Sequence, residues 1–253
     1  MNSFEKDTIK KNVNRFEDDV RRSGSYAYTA EKLSSQLANG RISEGISSSY
    51  SFAGKRVLDL GCGDGTYTLE LAKLGADRIL GIDPAEAAVK AASMKAERAG
   101  YSDRVQFKVG NIYALQEQLG ESHFDCVVLR GVLHHLPDPA RAVACIASVA
   151  DTIVILEPNG YNPVLKLLER FSRYHVEHEE QSFFPSTIKG WATAAGFGVR
   201  SARMINLVPM FCPDWMARIC RSLQPLAENL PIVRALGCGQ CLIVATKFIS
   251  NGK

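Results

Sequence analysis

The chain has 253 residues and a mass of 27.7 kDa, of which 46% are hydrophobic and 23% charged. That length suits one large α/β domain with a helical extension, and the composition excludes disordered, collagen-like and coiled-coil chains. A net charge of +3 is too small for a nucleic-acid binder, although from Gly160 onward 11 Lys and Arg face 6 Asp and Glu.

The N-terminus, Met1-Asn2-Ser3-Phe4-Glu5-Lys6-Asp7, is polar and unlike a secretory leader, and no apolar run has the length of a membrane span. Residues 3–22 are charged and helix-compatible; residues 23–50 are rich in Ser, Gly and Tyr. Residues 1–50 are therefore expected to form an N-terminal helical extension, followed by one domain over residues 51–253. From Arg56 the pattern changes. Short runs of Val, Ile and Leu predict strands at Arg56–Leu60, Arg78–Ile82, Val105–Val109, Phe124–Leu129 and Thr152–Leu156. Helices are predicted between them at Thr66–Leu74, Pro84–Ala99, Ile112–Leu119 and Pro139–Ala150, with Pro84 and Pro139 suited to first helical turns. Such alternation argues a parallel sheet, and nearly all-apolar strands argue that both its faces are covered.

After Glu157 the rhythm breaks, and residues 158–184 are expected to be irregular and polar. A helix over Ser186–Ala195 and strands over Gly198–Leu207 and Gln240–Phe248 follow. The insertion 207–239 holds four prolines and the apolar cluster Met210, Phe211, Trp215 and Met216. Ile219, Leu223 and Leu226 continue it at helical spacing, with Arg218 and Arg221 among them. The plain expectation is that this stripe packs on the domain's own sheet. The alternatives are a greasy acceptor pocket, a peripheral membrane contact, or a second subunit, the chain being a monomer or a homodimer.

The sharpest signal is Val57-Leu58-Asp59-Leu60-Gly61-Cys62-Gly63-Asp64-Gly65-Thr66. A strand runs into three glycines and a helix, which allows a tight turn, close approach of a ligand to backbone, and unpaired N–H groups at the helix start. The spacing is G-x-G-x-G, so the dinucleotide fingerprint is not met. Asp83 ends the next strand, where a carboxylate can accept both hydroxyls of a ribose; the bland reading is that it caps the following helix, and both roles can coexist.

At these residues the chain resembles the class I S-adenosylmethionine-dependent methyltransferases. Val57–Thr66 resembles their first motif, Gly81-Ile82-Asp83 the second-strand acid, and Val109-Gly110-Asn111-Ile112 the third-strand end beside the adenine. Phe124–Pro139, with Arg130, His134 and His135, resembles the fourth-strand motif of the small-molecule branch. The likeness is close over about residues 52–160 and loose over 186–248. It implies a Rossmann-like, doubly wound α/β fold: a seven-stranded sheet in order 3-2-1-4-5-7-6 with strand 7 antiparallel. It implies S-adenosylmethionine across the carboxyl ends of strands one to four. Asp59 and Gly61 would face the methionine part, within the loop that includes Cys62 and Gly63. Asp83, next to Pro84, would hold the ribose. Ile82 and Ile112 would flank the adenine near Asn111. Arg130 would lie near the sulfonium through its backbone carbonyl. The implied activity is transfer of the methyl group to a small-molecule or lipid- or sugar-linked acceptor. The alternatives are a non-catalytic cofactor- or partner-binding protein and, less well supported, an NAD-dependent oxidoreductase.

His134 and His135 follow strand 4, near the implied methyl group, and are candidates for a base or an acceptor-orienting group; the bland reading is loop structure. His178, in Tyr174-His175-Val176-Glu177-His178-Glu179-Glu180, belongs to the densest titratable cluster and is a further candidate base; a structural metal is not expected there, and a solvated surface is the plain reading. Glu157 is a second candidate acceptor-facing group. The seven cysteines lack framework spacing, and Cys126 and Cys145 lie in apolar runs, so a reducing, cytoplasmic setting is the default expectation. Cys238-Gly239-Gln240-Cys241 has redox spacing but opens an apolar strand, so no redox role is expected.

Overall fold

A computed structural model describes residues 32–171, 181–210 and 212–248. Seven strands form one sheet in the order β3-β2-β1-β4-β5-β7-β6. They are β1 Arg56–Leu60, β2 Arg78–Asp83, β3 Val105–Val109, β4 Phe124–Arg130, β5 Ala150–Pro158, β6 Phe197–Ile205 and β7 Gln240–Lys247. Parallel pairs join β3, β2, β1, β4 and β5, with Leu58 opposite both Leu80 and Val127, while β7 runs antiparallel to β5 and to β6. The order and the antiparallel strand are those the resemblance implied. The period of two divides each strand between two cores. Leu58, Leu60, Val127, Leu129, Ile153 and Ile155 meet helices α5 (Pro139–Ala147) and α7 (Pro185–Ala194) on one face. Val57, Cys126, Val128, Val154 and Leu156 meet α1 (Leu33–Ser49) and α2 (Thr68–Lys73) on the other. Each fully buried Leu or Ile contributes roughly 1.5–3 kcal/mol, which is why short apolar strands suffice.

Several elements depart from the sequence expectation. The helical extension expected over residues 1–50 does hold the 17-residue helix α1, but this helix packs into the domain core, and residues 1–31 lie outside the described residues. Ile42 and Ile46, four apart, enter the core, and the Ser34 and Ser35 hydroxyls donate to the Met210 carbonyl at 2.8 and 3.0 Å. Helix α3 is Glu86–Arg98 with Ala85 as its N-cap, so Pro84 lies ahead of the first turn. Helix α4 is a single turn, Leu115–Leu119, preceded by a 3-10 turn at Ile112–Ala114. Helix α5 does begin at Pro139, with Asp138 accepting the Arg141 N–H at 3.0 Å, but it stops at Ala147 because β5 starts at Ala150. The stretch expected to be irregular holds the amphipathic helix α6, Pro163–Phe171. Between β6 and β7 lie α8 (Asp214–Asn229) and α9 (Pro231–Gly237). In α8 it is Ala217, Gln224 and Ala227 that are buried. Trp215, Ile219, Leu223 and Leu226 are exposed, so the expected packing of that stripe on the domain's own sheet is overturned: both sheet faces are already filled. Among the described residues no helix is long and apolar enough to cross a membrane.

Candidate active site

The carboxyl ends of β1, β2, β3, β4 and β5 share one edge, where crossovers to both faces leave a crevice. Gly61, Gly63 and Gly65 all adopt positive φ, at 71°, 53° and 75°. A Cβ on Gly61 would stand 2.6 Å from Val132 Cγ2, and one on Gly65 would stand 2.8 Å from Ala92 Cβ. Both positions therefore require glycine for handedness and for space.

Asp83 ties this loop down. One carboxylate oxygen accepts the Gly63 N–H at 2.9 Å and the other accepts the Ala85 N–H at 2.9 Å. The helix-side role and the loop role thus coexist. Burial raises the Asp83 carboxyl above its ordinary range, opposed by those two hydrogen bonds. An ionised carboxylate has about four acceptor positions, so two remain for a diol. Asp64, next in the loop, accepts the Thr66 N–H at 3.1 Å and pairs with Lys95 of α3 at 2.6 Å. Cys62 packs under Gly81, and burial pushes its thiol far up, which keeps it a neutral apolar group.

Asp59 lies in β1 facing α2, where it accepts the Thr68 hydroxyl proton at 2.6 Å. Burial pushes its carboxyl up to about 6. Beside it, Arg130 at the end of β4 directs its side chain to α1 and to Tyr67, the residue before α2. The guanidinium lies 3.3 Å above the Tyr67 ring and donates to Ser43 and Asn39 of α1 at 3.1 Å each, with Glu70 at 3.4 Å. Ser43, Ile46, Asp59, Tyr67, Glu70 and Arg130 line a small cavity between α1 and the sheet. Ile82 and Ile112 are almost fully buried at the β2 and β3 ends, and Asn111 uses its side-chain oxygen to accept the Tyr113 N–H at 2.9 Å.

The 3-10 turn after β4, Leu133–His135, is held by one carboxylate. Glu157, fully buried at the end of β5, accepts the N–H groups of Val132 at 2.8 Å, Leu133 at 2.7 Å and His134 at 3.3 Å. His134 Nδ1 lies 2.7 Å from the second oxygen of Glu157, and the His135 ring sits 3.9 Å from the His134 ring. Glu157 already accepts three backbone N–H groups, so it serves as the acceptor for Nδ1–H as well, a tautomer in which Nε2 carries no proton. The sequence offered Glu157 as a candidate acceptor-facing group; in the structure it is fully buried and both its oxygens are engaged, by the turn and by His134. The sequence carried one sign of this, an acid closing an apolar strand, since a buried carboxylate needs donors.

His178, with His175, Glu179 and Glu180, lies outside the described residues. Cys238 and Cys241 are free and buried, and burial pushes both thiols up to about 12, so neither offers the thiolate that redox exchange requires.

A glycine loop closed by a buried second-strand carboxylate, at the switch point of this sheet, defines an α/β enzyme for an adenosine-bearing cofactor. The family described as "Methyltransferase domain" matches residues 51–196. The chain belongs to it, and is a class I S-adenosylmethionine-dependent methyltransferase. The ubiquinone biosynthesis O-methyltransferase of Psychrobacter arcticus is 32% identical over 184 residues, covering 66% of this chain and 68% of that one. The protein of the same description from Hahella chejuensis is 33% identical over 172 residues, covering 62% and 68%. Among solved structures, the [4+2]-cyclase SpnF superposes with a TM-score of 0.67 at 19% identity, over 94% of this chain and 93% of that one. The magnesium protoporphyrin IX methyltransferase of Synechocystis with bound S-adenosylhomocysteine gives 0.63 at 18%, over 94% and 96%. These two share the fold.

The residues present fit the cofactor. Asp83, with two acceptor positions taken by backbone N–H groups, would hold a ribose diol on the others, and Asp59 would meet an ammonium, while the nearby guanidinium of Arg130 lies on Tyr67.

Proposed function

We propose that this enzyme methylates a hydroxyl oxygen of an apolar, lipid-tailed small molecule, with His134 as general base and Glu157 as the residue that positions it. S-adenosylmethionine, when bound, supplies the electrophilic methyl group. The chain's own task is then to bind, orient and take a proton from the hydroxyl. The carrying observation is the 2.7 Å contact between His134 Nδ1 and buried Glu157, which orients the ring and favours the tautomer that a base requires. His135, packed on that ring, is placed to orient the acceptor. Two relatives described as O-methyltransferases of ubiquinone biosynthesis support a hydroxyl on a small molecule.

The test uses a phenol with an apolar tail as acceptor. Replacing the imidazole, His134→Gln, is expected to lower turnover by roughly 10²–10⁴ while S-adenosylhomocysteine affinity persists. Glu157→Gln is expected to lower turnover and to move the acidic limb of the pH–rate profile. An unchanged rate in His134→Gln would end the base assignment.

A further inference from the structure

We propose that α6, α8 and α9 form a docking surface for an anionic bilayer on the acceptor side of the active site. On α6 the exposed Val164, Leu167, Leu168 and Phe171 follow the spacing of one helical face, and no residue of this helix is buried. On α8, Trp215, Ile219, Leu223 and Leu226 share a face turned to solvent, Trp215 at 65% exposure. On α9, Ile232 is 76% exposed. Such a run of large apolar side chains exceeds the scattered exposure of an ordinary soluble surface.

Charge identifies the occupant. Arg170, Arg218, Arg221 and Arg234 lie on these three helices, and none has a carboxylate partner among the described residues. The acids are mostly engaged: Glu169 pairs with Lys166 at 3.0 Å, and Glu228 accepts from Arg41 of α1 at 2.9 Å. Apolar faces flanked by arginines are the pattern of helices lying in the plane of an anionic interface. A second copy docked face to face would bring the two sets of arginines together, which disfavours self-association.

Topology carries the surface to the site. Asn159, two residues past Glu157, donates to the carbonyls of Ala235 and Cys238 at 2.8 and 2.9 Å. Asn162 caps the start of α6, accepting the Val164 N–H at 2.9 Å, and reaches the Gly237 carbonyl at 3.2 Å. The β5 end that holds His134 is thus tied directly to α6 and α9. An acceptor whose tail lies in the bilayer would present its hydroxyl from that side. This deepens the reading of a lipid-tailed acceptor.

Vesicle binding needs no turnover, so its outcome is separate from that reading. The full chain is sedimented with vesicles of phosphatidylcholine alone, or of phosphatidylcholine with about one-third phosphatidylglycerol. The expected result is partition onto the mixed vesicles, a blue shift of Trp emission, and release by high salt. Arg218→Gln/Arg221→Gln is expected to weaken partition about thirtyfold, since each arginine near the surface contributes about a factor of five. Trp215→Ser/Ile219→Ser is expected to abolish partition and the emission shift while S-adenosylhomocysteine binding persists; should that variant lose cofactor binding, the arginine pair decides. Three outcomes overturn the proposal. One is wild type remaining in the supernatant with both vesicles. Another is equal binding to neutral and anionic vesicles with no loss in the arginine variant. The third is a dimer by light scattering that Leu223→Ser separates, which would assign the face to a second copy.

Discussion

Asp59 carries opposed demands of stability and binding, and Asp59→Asn separates them. The carboxylate is buried in β1, and its pKa rises from 3.8 to about 6, desolvation being the largest cause and Thr68 and Arg130 opposing it. That shift corresponds to about 3 kcal/mol, an upper bound on what the ionised form costs the fold at neutral pH. The sign follows from proton binding. Between the two pKa values the folded chain holds a proton that the unfolded chain has released, so wild type loses stability as pH rises through this window and stays less stable above it. Asparagine keeps an oxygen for the Thr68 hydroxyl and carries no charge. Asp59→Asn should therefore gain about 1–3 kcal/mol near pH 7.5 and about half as much near pH 5, measured by urea unfolding. The same change removes the carboxylate that would pair with the methionine ammonium, so affinity for S-adenosylhomocysteine should fall roughly 10–100-fold. Wild-type affinity should rise with pH through about 6, where the carboxylate ionises. A variant that is destabilised at neutral pH, or that binds as tightly as wild type in calorimetry, would refute the reasoning.

Asp83→Ala should weaken cofactor binding by roughly 10–100-fold, more than the loss of the Gly63 and Ala85 contacts perturbs the melting temperature; unchanged affinity by calorimetry would remove the ribose role. Gly61→Ala should destabilise the fold by about 1–3 kcal/mol, because it combines a positive φ with a clash against Val132, and thermal unfolding measures this. His178→Ala should leave turnover with a phenolic acceptor within about twofold of wild type if His134 is the base; a loss of roughly 10²–10⁴ there, with His134→Gln unaffected, would move the base to the other cluster.

The parallel strands were legible because strands covered on both faces are apolar throughout, and their ends were misplaced by only one or two residues. The sheet order came from the family resemblance, since no local pattern encodes which strands pair. Helix α1 lies within the helical extension expected over residues 1–50, but its docking was not legible: serines compete with the helix for backbone partners unless they are otherwise engaged, and here Ser34 and Ser35 find the Met210 carbonyl, 175 residues or more away in sequence. Helix α6 carried its stripe in plain view at Val164, Leu167, Leu168 and Phe171, but Pro163 and the asparagines before it suggested a loop. Asn162 in fact caps that helix. For α8 the periodicity showed that Trp215, Ile219 and Leu223 share a face. It could not show what that face meets, because the same spacing serves a core and an interface. The dyad was missed for a related reason. His134 and Glu157 lie 23 residues apart in sequence, and only the pairing of β4 with β5 brings the two strand ends together.

The placement of charge at the carboxyl edge also bears on how helix α1 is held to the sheet. Asp59, Asp64 and Asp83 are buried there together; Lys95 pairs with Asp64 and two backbone N–H groups meet Asp83. Arg130 at the end of β4 acts on Asp59 through its charge, with no ion pair to it among the described residues. The fold draws its guanidinium instead onto the Tyr67 ring, where it is also held by Asn39, Ser43 and Glu70. Burial lowers the Arg130 pKa, while Tyr67, Glu70 and Asp59 act to keep it charged, so the head group stays anchored to α1 and α2. Two ends are met by one contact. The buried guanidinium is partnered within the fold, and helix α1 is clamped to the sheet through it. Helix α1 is thereby fixed on the sheet by two kinds of contact: its Ile42 and Ile46 supply the packing, and its Asn39 and Ser43 hold the arginine.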